Sequence, residues 1–283
     1  MRILLTNDDG IRAPGIVALH GVLADPDGRL GGPVRGADGV PASVFPVAPL
    51  TVQSATSHGV TFHEPLMVQH VAVHERMEGL AVDARPADCV KLALSTLWPD
   101  RYGEGERPDL VVSGMNAGAN CGINVIYSGT VAAALEAAFL GVPSIAVSLM
   151  LGAGEADFAA GAAHARRAIE AILADGPLEP HTCLSVNIPV TERGDPDRAS
   201  GRALRVCRMN THGLVDAYER RVSPAGHVYY WPNRSGMDFH ATDPGTDVDE
   251  LLAGAVTVTP LQFDLTRQAQ LPEWRGRLGG RRV

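Results

Sequence analysis

Short apolar runs closed off by turn-forming residues recur along the chain, at residues 3–6, 43–47, 110–113, 144–148 and 184–188. Their length and β-branched content predict strands. Helix-like segments fall between and beside them, at 15–24, 87–97, 131–140 and 156–174. This alternation predicts a Rossmann-like α/β fold, a mainly parallel sheet with helices on both faces. Two stretches break the rhythm. Residues 25–41 carry Asp-Pro-Asp-Gly, Gly-Gly-Pro and Gly-Ala-Asp-Gly without an apolar face, and predict a surface loop or disordered insertion. After Pro189 a polar, turn-rich stretch at 191–201 leads into apolar or aromatic runs at 205–206, 228–231 and 255–259. These read as strands of a smaller extension. The expected organisation is an α/β catalytic domain over residues 1–190. A C-terminal β-rich extension and tail follows over 191–283, and its return to the main domain is left open.

The 283 residues leave room for a large core. The net charge of −8 lacks the basic footprint of a nucleic-acid binder. It leaves room for a small anionic substrate, because a bound metal inverts the local field. Arg275, Arg277, Arg281 and Arg282 form a small basic tail, read as a solvated terminus. Cys89, Cys121, Cys183 and Cys207 show no Cys-x-x-Cys spacing and read as reduced structural thiols. There is no signal-like start and no apolar run near the ~20 residues of a membrane span. The expectation is a cytoplasmic protein without membrane or stable nucleic-acid partners.

The residues that carry chemistry fall where predicted strands end. Asn7, Asp8, Asp9 and Gly10 follow the first. Ligands of open α/β sheets sit outside such strand ends. Two adjacent carboxylates there repel unless a cation lies beside them, and hard Mg²⁺ or Ca²⁺ takes carboxylate oxygens. A plain turn is the competing reading. After the second strand, Ser54, Ser57 and His58 offer groups that line a turn, or that ligate a metal or oxyanion. After the third, Gly114, Asn116, Gly118, Asn120 and Gly122 mark a loop whose backbone approaches something closely. Asn supplies a neutral oxygen suited to a hard cation. Ser128, Gly129 and Thr130 then open a helix, an arrangement that serves phosphate binding or ordinary capping. No Walker Gly-Lys-Ser/Thr is present.

Taken together, Leu4-Leu-Thr-Asn-Asp-Asp-Gly-Ile, Gln53-Ser-Ala-Thr-Ser-His, Pro86-Ala-Asp-Cys-Val-Lys-Leu-Ala, Val112-Ser-Gly-Met-Asn-Ala-Gly-Ala-Asn and Tyr127-Ser-Gly-Thr-Val resemble the SurE family. Arg221-Val-Ser-Pro-x-Gly, Tyr229-Tyr-Trp, Thr246-Asp-Val and Val258-Thr-Pro-Leu continue the match in the family's order. SurE proteins are divalent-metal-dependent 5′/3′-nucleotidases. The resemblance implies a phosphoric monoester hydrolase acting on nucleoside monophosphates or a related phosphorylated metabolite. It implies metal ligation by Asp8, Asp9, Ser54 and Asn116, with Asp8 and Asp9 catalytic. These are oxygen donors only, so Mg²⁺ or Mn²⁺ is expected in preference to zinc. Asn120, Ser128, Gly129 and Thr130 are expected to hold phosphate oxygens. His58 is expected beside the ligands, facing phosphate or simply hydrogen-bonded. A homodimer or homotetramer joined through the C-terminal extension is also implied.

The chain departs from the family in three places. Arg85 stands where a small hydroxyl residue is usual, and is expected either to face substrate or to be a solvated surface arginine. Asn124 replaces a common Asp, and the 25–41 connection is longer. Two rival readings remain at this point. A haloacid-dehalogenase-type phosphatase requires a second Asp two positions on, which the adjacent pair does not provide. A non-catalytic nucleotide- or metal-binding regulator that has kept the fold is the other.

Overall fold

The computed structural model describes residues 1–36, 39–196, 198–211, 217–232 and 242–281. Residues 37–38 of the insertion and Arg282 of the basic tail lie outside them. The first apolar run forms β1 (Arg2–Thr6). Its alternating side chains go to two different cores: Ile3 and Leu5 to one, Leu4 to the other. All three are fully buried. This is the pattern of a strand covered on both faces, and each side chain contributes roughly 1.5–3 kcal/mol of burial. The helix α1 (Pro14–Ala24) follows, then β2 (Ser43–Pro49), β3 (Val68–His74), β4 (Met77–Val82), α2 (Pro86–Leu92) and α3 (Trp98–Tyr102). Next come β5 (Leu110–Ala117), α4 (Gly129–Phe139), β6 (Ser144–Leu149), α5 (Phe158–Leu173) and β7 (Cys183–Ile188).

The sheet order is β3-β4-β2-β1-β5-β6-β7 and continues through β11 (Val256–Leu261) to β8 (Leu204–Val206). The strands from β4 to β7 in that order run parallel. From β1 the chain moves first outward to β2 and later back to β5 on its other side. The β1/β5 crevice is therefore the topological switch point, where open α/β sheets place ligands. On one face α1 and α5 cover the sheet through Ile16, Leu19, Leu23, Ala165 and Ile169. On the other, α2 and α4 pack through Cys89, Val90, Ala133 and Ala137, with Trp98 alongside.

Three features differ from the sequence expectation. The β3–β4 hairpin was not predicted. Along β3 only Val71 is buried, so the apolar signal of an edge strand is faint. The β5 strand does not end at Ser113. Its pairing with β6 breaks between Ser113 and Asn116 and resumes at Asn116 and Ala117. Asn116 is thus a strand-end residue beside a bulge, which a glycine-rich sequence disguises as loop. There the β5 backbone meets α1 so closely that a Cβ on Gly15 would fall 1.9 Å from the Met115 carbonyl oxygen.

The third difference lies in the 25–41 insertion. Among its described residues there is no helix or strand, as predicted, yet residues 25–34 are anchored. Asp25 accepts the N–H groups of Arg29, Leu30 and Gly32 at 3.0, 2.8 and 2.8 Å. Arg166, buried on α5, donates to the carbonyls of Val22, Gly32 and Leu30 at 2.7, 2.8 and 3.3 Å. Val34 is fully buried. The anchor comes from a side chain far along the sequence, so the local composition does not reveal it.

The C-terminal portion divides. The strand β11 pairs antiparallel with β7, and β8 pairs parallel with β11, so both join the main sheet. By contrast, β9 (Tyr218–Val222) and β10 (Val228–Pro232) form a separate antiparallel hairpin. The helix α6 (Asp247–Leu252) precedes β11, and α7 (Leu271–Leu278) follows it. Among the described residues no helix is long and apolar enough to cross a membrane.

Arg166→Met should remove the hub of the insertion and leave buried carbonyls and Asp25 without their cation. The expected cost is roughly 3 kcal/mol, read as a lower urea midpoint, with faster proteolysis between residues 25 and 41. An unchanged midpoint would show that the insertion is held by other means.

Candidate functional site

The sequence motifs converge on the crevice between β1 and β5. Asp8 lies just past the end of β1 and is 6% exposed. One residue of α4 holds its carboxylate twice. The Thr130 N–H donates to Asp8 Oδ2 at 3.1 Å, and the Thr130 hydroxyl donates to Oδ1 at 2.5 Å. Ser128 caps the same helix by accepting the Val131 N–H at 3.1 Å. Gly129 sits between cap and clamp. A Cβ there would meet Asp8 Cβ at 2.9 Å, Asp8 Oδ2 at 3.0 Å and Pro86 Cγ at 3.1 Å. Only glycine lets α4 approach the carboxylate this closely. Thr130, expected to hold phosphate, is instead fully buried and committed to Asp8.

Two further bonds assemble the remaining candidates. The Ala117 N–H donates to Asp9 Oδ2 at 2.9 Å, which sets Asn116 beside the carboxylate pair. Asn116 turns its amide N–H to the Gly118 carbonyl at 2.7 Å. The Gln53 N–H donates to the Asp8 carbonyl at 2.7 Å, which lays the Ser54 turn against the same backbone. Ser54 is exposed in that turn. These bonds hold the backbone next to Asn116 against Asp9 and the backbone next to Ser54 against Asp8. A cleft of about 510 Å³ opens on the Asp9 side, lined by Asp9, Gly10, Arg12, Thr51, Val52 and Ala117, with Asp8, Ser54 and Asn116 outside its walls. That lies within the range of about 300–1,000 Å³ common for small-molecule sites.

Burial pushes the Asp8 carboxyl up to about 6, against the pull of the Thr130 hydrogen bonds, and the neighbouring Asp9 charge adds to the rise. Such a pair offers a cation two hard oxygens and gains from its charge. Among the described residues no group of three or more His, Cys, Asp or Glu forms a metal cluster. A metal at this crevice would therefore use the two carboxylates together with amide and hydroxyl oxygens. The donor chemistry fits Mg²⁺ or Mn²⁺ better than zinc.

The other predicted residues lie around this centre in different roles. Asn120 donates from its side chain to Ser148 Oγ at 2.9 Å, and its backbone pairs with the Asn187 side chain at 2.8 and 3.1 Å. It stitches the loop after β5 to β6 and β7. His58 turns to Glu136. Arg85 precedes α2 and reaches the Val60 carbonyl at 3.5 Å, over the turn that follows His58. A second cavity, of about 650 Å³ and mostly apolar, lies beyond residues 125–128, with His58, Ser128, Leu135, Met209 and Leu261 in its walls.

Two contributors were not predicted. Glu136 is buried on α4. Asp247 is buried at the start of α6 and accepts the N–H groups of Gly122 and Asn210, each at 2.8 Å. It pins the glycine-rich loop to the C-terminal portion. Glu136 left a legible signal, a lone charge in an alanine-rich helix; Asp247 sat inside a quoted motif without an assigned role.

Comparison with known proteins bears on the family and the fold. The family model described as survival protein SurE matches residues 3–214. A protein of Heliobacterium modesticaldum named 5′-nucleotidase SurE is 41% identical over 281 residues, covering 99% of this chain and 93% of its own. One of Syntrophobacter fumaroxidans with the same name is 41% identical over 266 residues, covering 94% and 95%. The crystal structure of the SurE protein from Aquifex aeolicus superposes with a TM-score of 0.76 at 31% identity, covering 98% of this chain and 99% of that one.

The raised Asp8 carboxyl has a consequence for the metal-free protein. The native state keeps a proton that the unfolded chain loses near the ordinary value of 3.8, so stability falls as pH rises from there to about 6 and stays lower above. Asp8→Asn should lift that penalty, raising the metal-free urea midpoint at pH 8 by up to ~3 kcal/mol equivalent. At pH 3.5 the difference should shrink towards zero. No gain at pH 8 would contradict the burial of an ionised pair.

Proposed function

The chain belongs to the SurE family, and from that premise we propose that it is a metal-dependent nucleotidase, releasing phosphate from nucleoside monophosphates. The observation that carries this reading is the convergence of Asp8, Asp9 and Asn116 at the switch point, through the Thr130 and Ala117 hydrogen bonds. Asp8, Asp9, Ser54 and Asn116 would hold a Mg²⁺ or Mn²⁺ ion. When bound, such an ion supplies positive charge that offsets the phosphate and lowers the pKa of water.

The chain's own residues do the positioning. Thr130 fixes both oxygens of Asp8, and Ala117 fixes one oxygen of Asp9. The cleft beside Asp9 receives the phosphate and leaves one side open to solvent. Ser128 and Gly129 keep the N-terminus of α4 against this centre, where the helix dipole favours an anion. Asn120 sets the course of the loop between Asn116 and Tyr127.

A second observation bears on assembly. The β9–β10 hairpin exposes Tyr218, Tyr229, Tyr230 and Trp231, and α7 buries no residue in its own chain. A two-stranded hairpin alone is marginal in water, as is an eight-residue helix. We read both as contacts between copies of this chain in a homodimer or homotetramer. Truncation after Leu261, which removes α7, together with Tyr229→Ser and Trp231→Ser in the hairpin, should then lower the number of copies per particle measured by light scattering, whereas an unchanged number would assign the contact elsewhere.

Phosphate release from a panel of mononucleotides and sugar phosphates tests the activity. Turnover should vanish in EDTA and return with Mg²⁺ or Mn²⁺, and Asp9→Ala should lose ~100-fold or more. Full turnover after chelation would exclude the metal reading. No turnover of any ester with either metal would favour a binding protein.

A further inference from the structure

The helix α4 reads Gly-Thr-Val-Ala-Ala-Ala-Leu-Glu-Ala-Ala-Phe, so Glu136 is its single charged residue. The side chain is 5% exposed. An unpaired carboxylate in that position is costly. Here two side chains, His58 and Lys91, meet it. His58 Nε2–H donates to Oε2 at 2.8 Å, and Lys91 Nζ donates to Oε1 at 2.9 Å. Burial alone pushes the Glu136 carboxyl up, but these two donors outweigh it and hold the group below the usual range.

The three residues come from three segments that border the candidate site. His58 lies four residues after Ser54, in the same run of turns. Lys91 belongs to α2, whose Pro86 closes on Gly129 beside Asp8. Glu136 follows Thr130 on the helix that clamps Asp8. The start of the turn is tied to the Asp8 carbonyl by the Gln53 N–H at 2.7 Å, and beyond Ser54 the turn is tied from Ser57 to the backbone oxygens of Ile126 and Tyr127 at 2.7 and 3.2 Å. The Ser57 bonds fix it to a loop. The Glu136 bond fixes it to the helix that also fixes Asp8.

We propose that Glu136 is a positioning residue for the metal site, holding the Ser54 turn at a set distance from Asp8 through His58. The proposal rests on the metal-site reading above. A charge is retained inside an otherwise apolar helix because it forces one placement of the turn. An apolar residue of the same volume would pack there without dictating where Ser54 lies.

Calorimetric titration of Mn²⁺ into the metal-stripped full-length protein tests this on the parent, Glu136→Gln, His58→Ala, the double variant and Asp9→Ala. Glu136→Gln and His58→Ala should each weaken Mn²⁺ binding by roughly tenfold, as loss of a group that orients a ligand does. The double variant should lose no more than either single one, because both act through one contact. A contact that merely stabilises the fold would lower the melting temperature and leave Mn²⁺ affinity at the parental value, and that result would overturn the proposal. Additive losses would overturn it as well. His58 is exposed, so its variant carries the test if Glu136→Gln does not fold. Failure of the underlying reading shows separately, as parental Mn²⁺ affinity in Asp9→Ala.

Discussion

The approach of the α4 N-terminus to the end of β1 is the constraint on which the candidate site depends. Asp8 leaves the strand into a buried position where an ionised carboxylate is disfavoured, and Thr130 answers with a backbone and a side-chain donor. That contact requires Gly129 in between, since any Cβ would overlap Asp8 and Pro86. It also requires the run of alanines that follows, which lets α4 lie close to the sheet. The sheet supplies the second carboxylate for nothing more than the next residue in sequence. A pair of acids is thereby fixed before any ligand arrives, held by the Thr130 and Ala117 donors.

Everything else around the crevice limits where that cation and its substrate can sit. The bulge in β5 presents Asn116 at the strand end, and Gly15 lets α1 close against it. The Ser54 turn is held from two sides, by the Asp8 backbone and by the Glu136–His58 contact. Asp247 reaches back from the C-terminal portion to the glycine-rich loop. The centre is therefore assembled from segments more than a hundred residues apart, with buried side-chain bonds that replace a continuous local motif.

Much of this was legible in the sequence, for identifiable reasons. The parallel core announced itself because strands buried on both faces read as short, uninterrupted apolar runs. Asp8, Asp9, Ser54 and Asn116 drew notice as polar residues where the chain has just been apolar, and the family resemblance singled them out as a set. The β3–β4 hairpin escaped because an edge strand with one buried residue carries almost no hydrophobic signal. Thr130 was assigned to phosphate because a helix N-terminus serves an anion of either origin; here the anion is Asp8. The anchoring of residues 25–34 was hidden because its agent, Arg166, lies on a different helix.

Anomalous diffraction from crystals of the protein soaked in Mn²⁺ tests the central claim most directly, because it locates the ion without reference to turnover. The account predicts a single strong peak in the β1/β5 crevice, within coordination distance of Asp8, Asp9 and Asn116. A strong peak elsewhere on the molecule, with none in that crevice, would contradict it.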